Sequence, residues 1–296
     1  MATIADAAPY AGLTPDCVLD ALDSVGIHGD GRLLALNSYE NRVYQAWRDD
    51  GPAVVVKFYR PNRWSDAQIL EEHALVDELA AADVPAVAPM AIAGVTLHVF
   101  GGFRFAVYPR HGGRAPELDR RGTLEQLGRY IARIHTIGAA RPFEQRPALT
   151  VESFGDESRG YLLDHGFLPN DLRAAWESIV DLALAGVRRA FGRVVAVPLR
   201  LHGDCHGGNV LWTDDGPHFV DFDDARTGPA VQDLWMLLSG ERPAMERQLA
   251  ELLEGYDSFR DFDRRELALV EPLRTLRLLH LRRSPARRRR CRRDCW

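Results

Sequence analysis

The spacing of apolar residues changes character along this chain. After Thr14-Pro15-Asp16, Val18, Leu22 and Val25 recur at helical intervals, and Gly26 stops the pattern. A hydroxyl cap, a proline in the first turn and an acid near the helix dipole predict a helix start there. Three short apolar runs follow, Leu33–Leu36, Val43–Trp47 and Val54–Tyr59, and predict strands. Asp49-Asp50-Gly51 supplies a hairpin turn between the second and third. Ser65-Asp66-Ala67-Gln68 is a capping box that opens a helix reaching about Ala81, closed by Val84-Pro85. Val95–Phe100 and Phe103–Tyr108, split by Gly101-Gly102, predict two further strands.

Pro109 to Pro116 is rich in Gly, Pro and Arg and reads as a linker. The period beyond it is helical. A second capping box at Thr123–Gln126 precedes Leu127, Ile131 and Ile134, and another helix is expected from about Asp171 to Arg189. Val210–Trp212 and His218–Val220 are short β-like interruptions before helices resume near Gln232. The order predicts an α+β, bilobal protein kinase-like chain. A small β-rich lobe would span residues 1–108, a hinge and larger mainly helical lobe 109–281, and an Arg-rich tail 282–296. No internal repeat is present.

Composition narrows the partners. With 46% hydrophobic and 27% charged residues, the 296-residue chain is ordinary for a soluble globular protein. The net charge of −5 hides a tail whose last fifteen residues carry eight arginines and one aspartate, so the rest is strongly acidic. An acidic body argues against a nucleic-acid partner, which needs a basic face. Translation of GC-rich DNA in a shifted frame would give such a tail, and a basic arm for nucleic acid or anionic lipid is the alternative. Cys17, Cys205, Cys291 and Cys295 form neither a disulfide framework nor a paired zinc motif. The start lacks a signal-peptide pattern, and no apolar run approaches the ~20 residues of a membrane span. A cytoplasmic monomer with no membrane partner is expected.

Chemistry concentrates in Leu201-His202-Gly203-Asp204-Cys205-His206-Gly207-Gly208-Asn209, followed by Phe219-Val220-Asp221-Phe222-Asp223. Asp204 and Asn209 are five apart, and Asp221 lies twelve residues later at the end of an apolar run. Protein kinases place a catalytic Asp, an Asn and a metal-binding Asp at such offsets. One carboxylate must meet the attacking hydroxyl, while an amide oxygen and a second carboxylate hold Mg²⁺ over phosphates. Alternation of His202, Asp204 and His206 could instead form a metal set on a strand, but the glycines favour a loop, with His202 bracing it. A solvated acidic turn is the alternative for Asp221, Asp223 and Asp224.

Lys57 is the only lysine beside 36 arginines, and it sits in the apolar run of the third strand. A compact ammonium differs from a planar guanidinium wherever a phosphate must be met end-on. Ile69, Glu72, Val76 and Leu79 share one helix face, which makes Glu72 the expected partner of Lys57, with a purely structural ion pair as the alternative. No G-x-x-x-x-G-K-[ST] sequence occurs, which excludes a P-loop NTPase. The turn Asn37-Ser38-Tyr39-Glu40-Asn41 stands where kinases carry a Gly-rich loop, with Ser38 as a phosphate contact or merely part of a polar hairpin. His135 reads as a core histidine.

The chain resembles the stress response kinase A family, bacterial Ser/Thr protein kinases on the aminoglycoside-phosphotransferase and choline-kinase type of fold. The matching stretches are Leu36–Tyr44, Val56–Pro61, Ile69–His73, Leu201–Asn209 and Val220–Leu237, within coverage from about Thr14 to Arg277. The resemblance implies Asp204 as proton acceptor, Asn209 and Asp221 as Mg²⁺ ligands, and Ser38 at the ATP phosphates. It further implies ATP-dependent phosphorylation of protein serine or threonine, autophosphorylation included, in stress survival. ATP is expected near Val107–Gly112, oriented by Lys57 and Glu72. A small-molecule kinase acting on a sugar, amino alcohol or aminoglycoside, or a truncated non-catalytic nucleotide-binding protein, are the competing readings. After Glu271-Pro272-Leu273-Arg274 the chain departs from its relatives.

Overall fold

The computed structural model describes residues 9–283, and these fall into two compact units that divide between Gly113 and Arg114. The expected tail lies outside the described residues from 284 onward. Arg282 and Arg283, also assigned to it, form the end of the last helix.

The first unit is built on the predicted β-rich pattern. Helix α1 (Pro15–Asp23) is capped by Thr14, whose Oγ1 accepts a hydrogen bond from Cys17 N at 3.2 Å. Strands β1 (Gly29–Leu36), β2 (Arg42–Arg48) and β3 (Val54–Phe58) follow, then α2 (Asp66–Ala81), β4 (His98–Phe100) and β5 (Phe103–Pro109). They form an antiparallel sheet in the order β1-β2-β3-β5-β4. Both bonds of the expected Ser65 capping box are present at the start of α2. Val95 to Leu97 do not join β4, and Val95 instead forms an isolated bridge with Ile92.

The two-residue period of β3 decides where Lys57 goes. Val54, Val56 and Phe58 pack with Val18, Leu22 and Phe105 in the cluster that buries α1. Lys57 must therefore face the other side. Its register partner there is Ala106, which packs with Ile69 of α2.

The second unit contains α3 (Thr123–Gly138), α4 (Glu157–Asp164), α5 (Asn170–Arg193), β6 (Leu199–Leu201), β7 (Val210–Thr213), β8 (Gly216–Phe219), β9 (Arg226–Gly228), α6 (Val231–Trp235), α7 (Arg242–Asp257) and α8 (Val270–Arg283). β7 and β8 form a hairpin, and β6 pairs with β9. The expected capping box at Thr123 does not form. The cap position belongs to Gly122 at φ 86°, so Thr123 is already helical and buried, and Gly122 N donates to Glu251 Oε1 at 2.7 Å. Helix α3 lies very close to α7. A Cβ on Gly128 would stand 2.0 Å from Leu252 O, and one on Gly255 would stand 1.8 Å from Glu125 O. No described helix is long and apolar enough to cross a membrane.

Candidate active site

In the first unit, Lys57 Nζ lies 3.4 Å from Glu72 Oε1. Both residues are buried, at 6% and 2% exposure. Capping fixes the rotation of α2, and that rotation turns Glu72 to the sheet while Leu70 faces solvent. The ammonium also sits 5.1 Å from the centre of the Tyr59 ring, a cation–π contact. Ser38 is half-buried on the turn joining β1 to β2. Arg60 ties that turn down: its side chain pairs with Glu40 at 3.0 Å, and its backbone N–H donates to Asn41 Oδ1 at 3.1 Å.

In the second unit, β6 delivers the chain into a loop whose backbone is held by one carboxylate. Asp233, on α6, accepts hydrogen bonds from His202 N and Gly203 N, each at 2.8 Å. His135 Nε2 is 3.1 Å from the same carboxylate, and its Nδ1 is 2.9 Å from the Tyr256 hydroxyl. Burial would raise the Asp233 pKa, but the bond to His135 and the donated backbone N–H group outweigh it, and the carboxyl is held below its usual range. Gln232 Nε2 adds a bond to Gly203 O at 3.2 Å. Gly203 takes φ +83°, and a Cβ there would lie 2.1 Å from Asp224 O. Only glycine fits.

His202 braces the loop. Its Nδ1 accepts from Asp204 N at 3.3 Å and its Nε2 meets Val220 O at 3.0 Å, which assigns the proton to Nε2. With both nitrogens committed to backbone, it is not a metal ligand. Among the described residues, no three His, Cys, Asp or Glu side chains are grouped to hold a metal ion. The Asn209 amide nitrogen donates to Asp204 O at 2.9 Å, which orients the amide with its oxygen as the acceptor to offer elsewhere. Asn209 O in turn accepts from Val220 N at 3.0 Å, joining the loop to the residue before Asp221.

Asp221 is exposed at φ 60°, a left-handed conformation unusual for a residue other than glycine. Buried Arg146 stabilises the turn after it by donating from Nε to Ala225 O at 2.6 Å and from Nη2 to Asp223 O. An exposed carboxylate and an oriented amide oxygen are hard oxygen donors that suit Mg²⁺.

Asp204 itself is buried, and two side chains flank its carboxylate. Arg277 Nη2 from α8 bonds to Oδ1, while His206 Nε2 lies 3.7 Å from Oδ2. Burial pulls the His206 pKa below its ordinary value, and the Asp204 charge only partly opposes that. His206 Nδ1 accepts from Gly208 N at 3.0 Å, which shapes the short turn to Asn209. Sequence reading missed Asp233, Arg277 and Tyr256 as supports. An acid inside the apolar string Ala230-Val231-Gln232-Asp233-Leu234-Trp235 was the available signal for Asp233.

The sequence profile described as "Phosphotransferase enzyme family" matches residues 32–270. Stress response kinase A of Escherichia coli (strain K12) is 47% identical over 271 residues, covering 92% of this chain and 82% of that protein. A protein named serine/threonine protein kinase RdoA, from Salmonella typhimurium (strain LT2), is 45% identical over the same share. The chain belongs to the stress response kinase A family of phosphotransferases. Among solved structures, an amicoumacin kinase in complex with AMP-PNP and Ca²⁺ superposes with a TM-score of 0.75 at 19% identity, covering 94% of this chain and 91% of that one. A microcompartment-associated aminopropanol kinase gives 0.72 at 18% identity, with 92% of each chain covered. These two share the fold, a β-sheet unit followed by a helical unit, and the family makes the chain a kinase-type phosphotransferase.

Proposed function

We propose that this protein transfers the γ-phosphoryl group of ATP to a serine or threonine hydroxyl of a protein, itself included. The observation that carries this reading is the Asp204–Asn209 loop, fixed by Asp233 and joined through Val220 to Asp221. Its residues match the roles that phosphoryl transfer requires, which are chiefly positioning and electrostatic stabilisation.

Asp204 would orient the acceptor hydroxyl and take its proton as the acceptor oxygen bonds to the γ-phosphorus. The bond from that phosphorus to the β,γ-bridging oxygen breaks, and ADP leaves with the electron pair. Lys57, steadied by Glu72, would hold the α- and β-phosphates, and Ser38 would contact the phosphates from its turn. Asn209 and Asp221 would hold Mg²⁺. When bound, that ion neutralises charge on the phosphates.

The naming of a close relative as a serine/threonine protein kinase supports the protein acceptor. A small molecule such as an amino alcohol is the competing acceptor class, since fold neighbours are named amicoumacin kinase and aminopropanol kinase. Incubating purified protein with γ-labelled ATP and Mg²⁺, and offering self, generic proteins and a panel of small alcohols, separates the two. Label in protein serine or threonine is expected. Label confined to small molecules would overturn the protein-kinase reading.

A further inference from the structure

The Asp204 carboxylate is bonded by a guanidinium that lies 73 residues further along the chain. Arg277 comes from α8, an element that contributes nothing to the loop motif itself, and its side chain is 21% exposed against 12% for Asp204. It bonds Oδ1, while Oδ2 has only the 3.7 Å approach of His206. A guanidinium carries five N–H donors. The bond to Asp204 uses one of them, so the group is larger than the task of neutralising one oxygen requires. Whatever hydroxyl reaches Asp204 must do so beside a permanent positive charge.

We propose that Arg277 is an acceptor-side positioning and specificity residue of the transfer reaction. By clamping Oδ1 it orients the carboxylate and leaves Oδ2 for the acceptor hydroxyl. By its charge it disfavours acceptors that carry a cation next to that hydroxyl, and it admits neutral or acidic ones. The inference rests on the reading that Asp204 receives the acceptor hydroxyl. It deepens that reading by giving the acceptor a charge class: a serine or threonine with neutral or acidic neighbours, rather than an amino alcohol.

Discrimination by like-charge repulsion is a rejection device, and it is lost when the repelling group goes. Arginine also differs from lysine in geometry, so the two parts of the role separate by substitution. The Arg277→Lys variant keeps the charge and loses the fixed guanidinium geometry of the bond to Oδ1, whereas Arg277→Gln loses the charge as well.

The test uses full-length protein and two matched acceptor pairs. One pair is a serine peptide flanked by norleucine against the same peptide flanked by lysine. The other is ethylene glycol against ethanolamine. For each pair kcat/KM is measured with ATP saturating, together with KM for ATP. Wild type is expected to prefer the neutral member by roughly tenfold or more, equivalent to about 1.4 kcal/mol. Arg277→Lys should retain most of that preference with reduced kcat, and Arg277→Gln should bring the ratio toward unity without moving KM for ATP. A purely structural arginine would lower all rates together and leave the ratio fixed, which overturns the proposal. Absence of a neutral preference in wild type overturns it even if Arg277→Gln does not fold. Label entering only the small pair sinks the protein-acceptor reading, while that pair's ratio still decides the role of Arg277.

Discussion

Lys57 Nζ and Glu72 Oε1 lie 3.4 Å apart with both side chains almost fully removed from water. Removing one partner leaves a buried charge uncompensated, which typically costs about 3–5 kcal/mol. Glu72→Gln is therefore expected to lower the unfolding free energy, read by urea denaturation, by an amount in that range. The double variant Lys57→Met/Glu72→Leu should recover much of the stability and none of the transfer activity. Recovery of both would mean that the pair is structural only. Lys57→Arg keeps the charge but not the point geometry, so activity should fall while stability changes less.

Asp233 joins α3, α6, α7 and the Asp204 loop through His135, Tyr256 and two backbone N–H groups. Its folded pKa lies below the unfolded value of about 3.9. A carboxyl shifted downward adds stability at pH values above the unfolded pKa, and that stability disappears as pH falls toward the folded pKa. Wild type should lose stability steeply below about pH 4, and Asp233→Asn should be less stable at pH 7 with a shallower acid limb. Chemical denaturation at a series of pH values reads both. Parallel acid limbs would show that Asp233 does not carry the effect.

Gly203 has no room for a side chain, because a Cβ would meet Asp224 O at 2.1 Å in a left-handed backbone. Gly203→Ala should destabilise by about 2 kcal/mol or more and displace Asp204 from its neighbours. A fully active Gly203→Ala protein would show that the loop geometry is not required.

Asp221 holds φ 60° while exposed, a conformation that asparagine also tolerates. Asp221→Asn should alter thermal stability by no more than about 0.5 kcal/mol. It should nevertheless raise the Mg²⁺ concentration needed for half-maximal transfer. An unchanged Mg²⁺ titration would remove Asp221 from the metal site.

Local signals carried much of this structure, and their failures share a cause. The Ser65 box marked the start of α2, because a cap acts within a few residues, whereas the facing of Lys57 in the all-apolar run of β3 emerged only from packing. Glu72 followed from helix spacing, which is also local. Thr123 misled because its box pattern is local, whereas Gly122 takes the cap through a bond to Glu251, 129 residues away. Strands β6 and β9 are three residues each and gain their identity from pairing across the fold, with one another and, for β9, with the segment around Ala148. Arg277 was invisible as a partner of Asp204, since a guanidinium on a helix face looks like any solvated arginine until tertiary packing places it. His135 read as a core histidine and is one, with partners that sequence could not name.

The most direct test compares wild type with Asp204→Asn for γ-phosphoryl transfer, with ATP binding measured on the same preparations. The substitution preserves shape but removes the proton acceptor, a role worth roughly 10²–10⁴-fold in rate. Asp204→Asn should bind ATP as wild type does and transfer its phosphoryl group slower by about that factor. Transfer by Asp204→Asn at the wild-type rate would contradict the assignment of this loop as the catalytic centre.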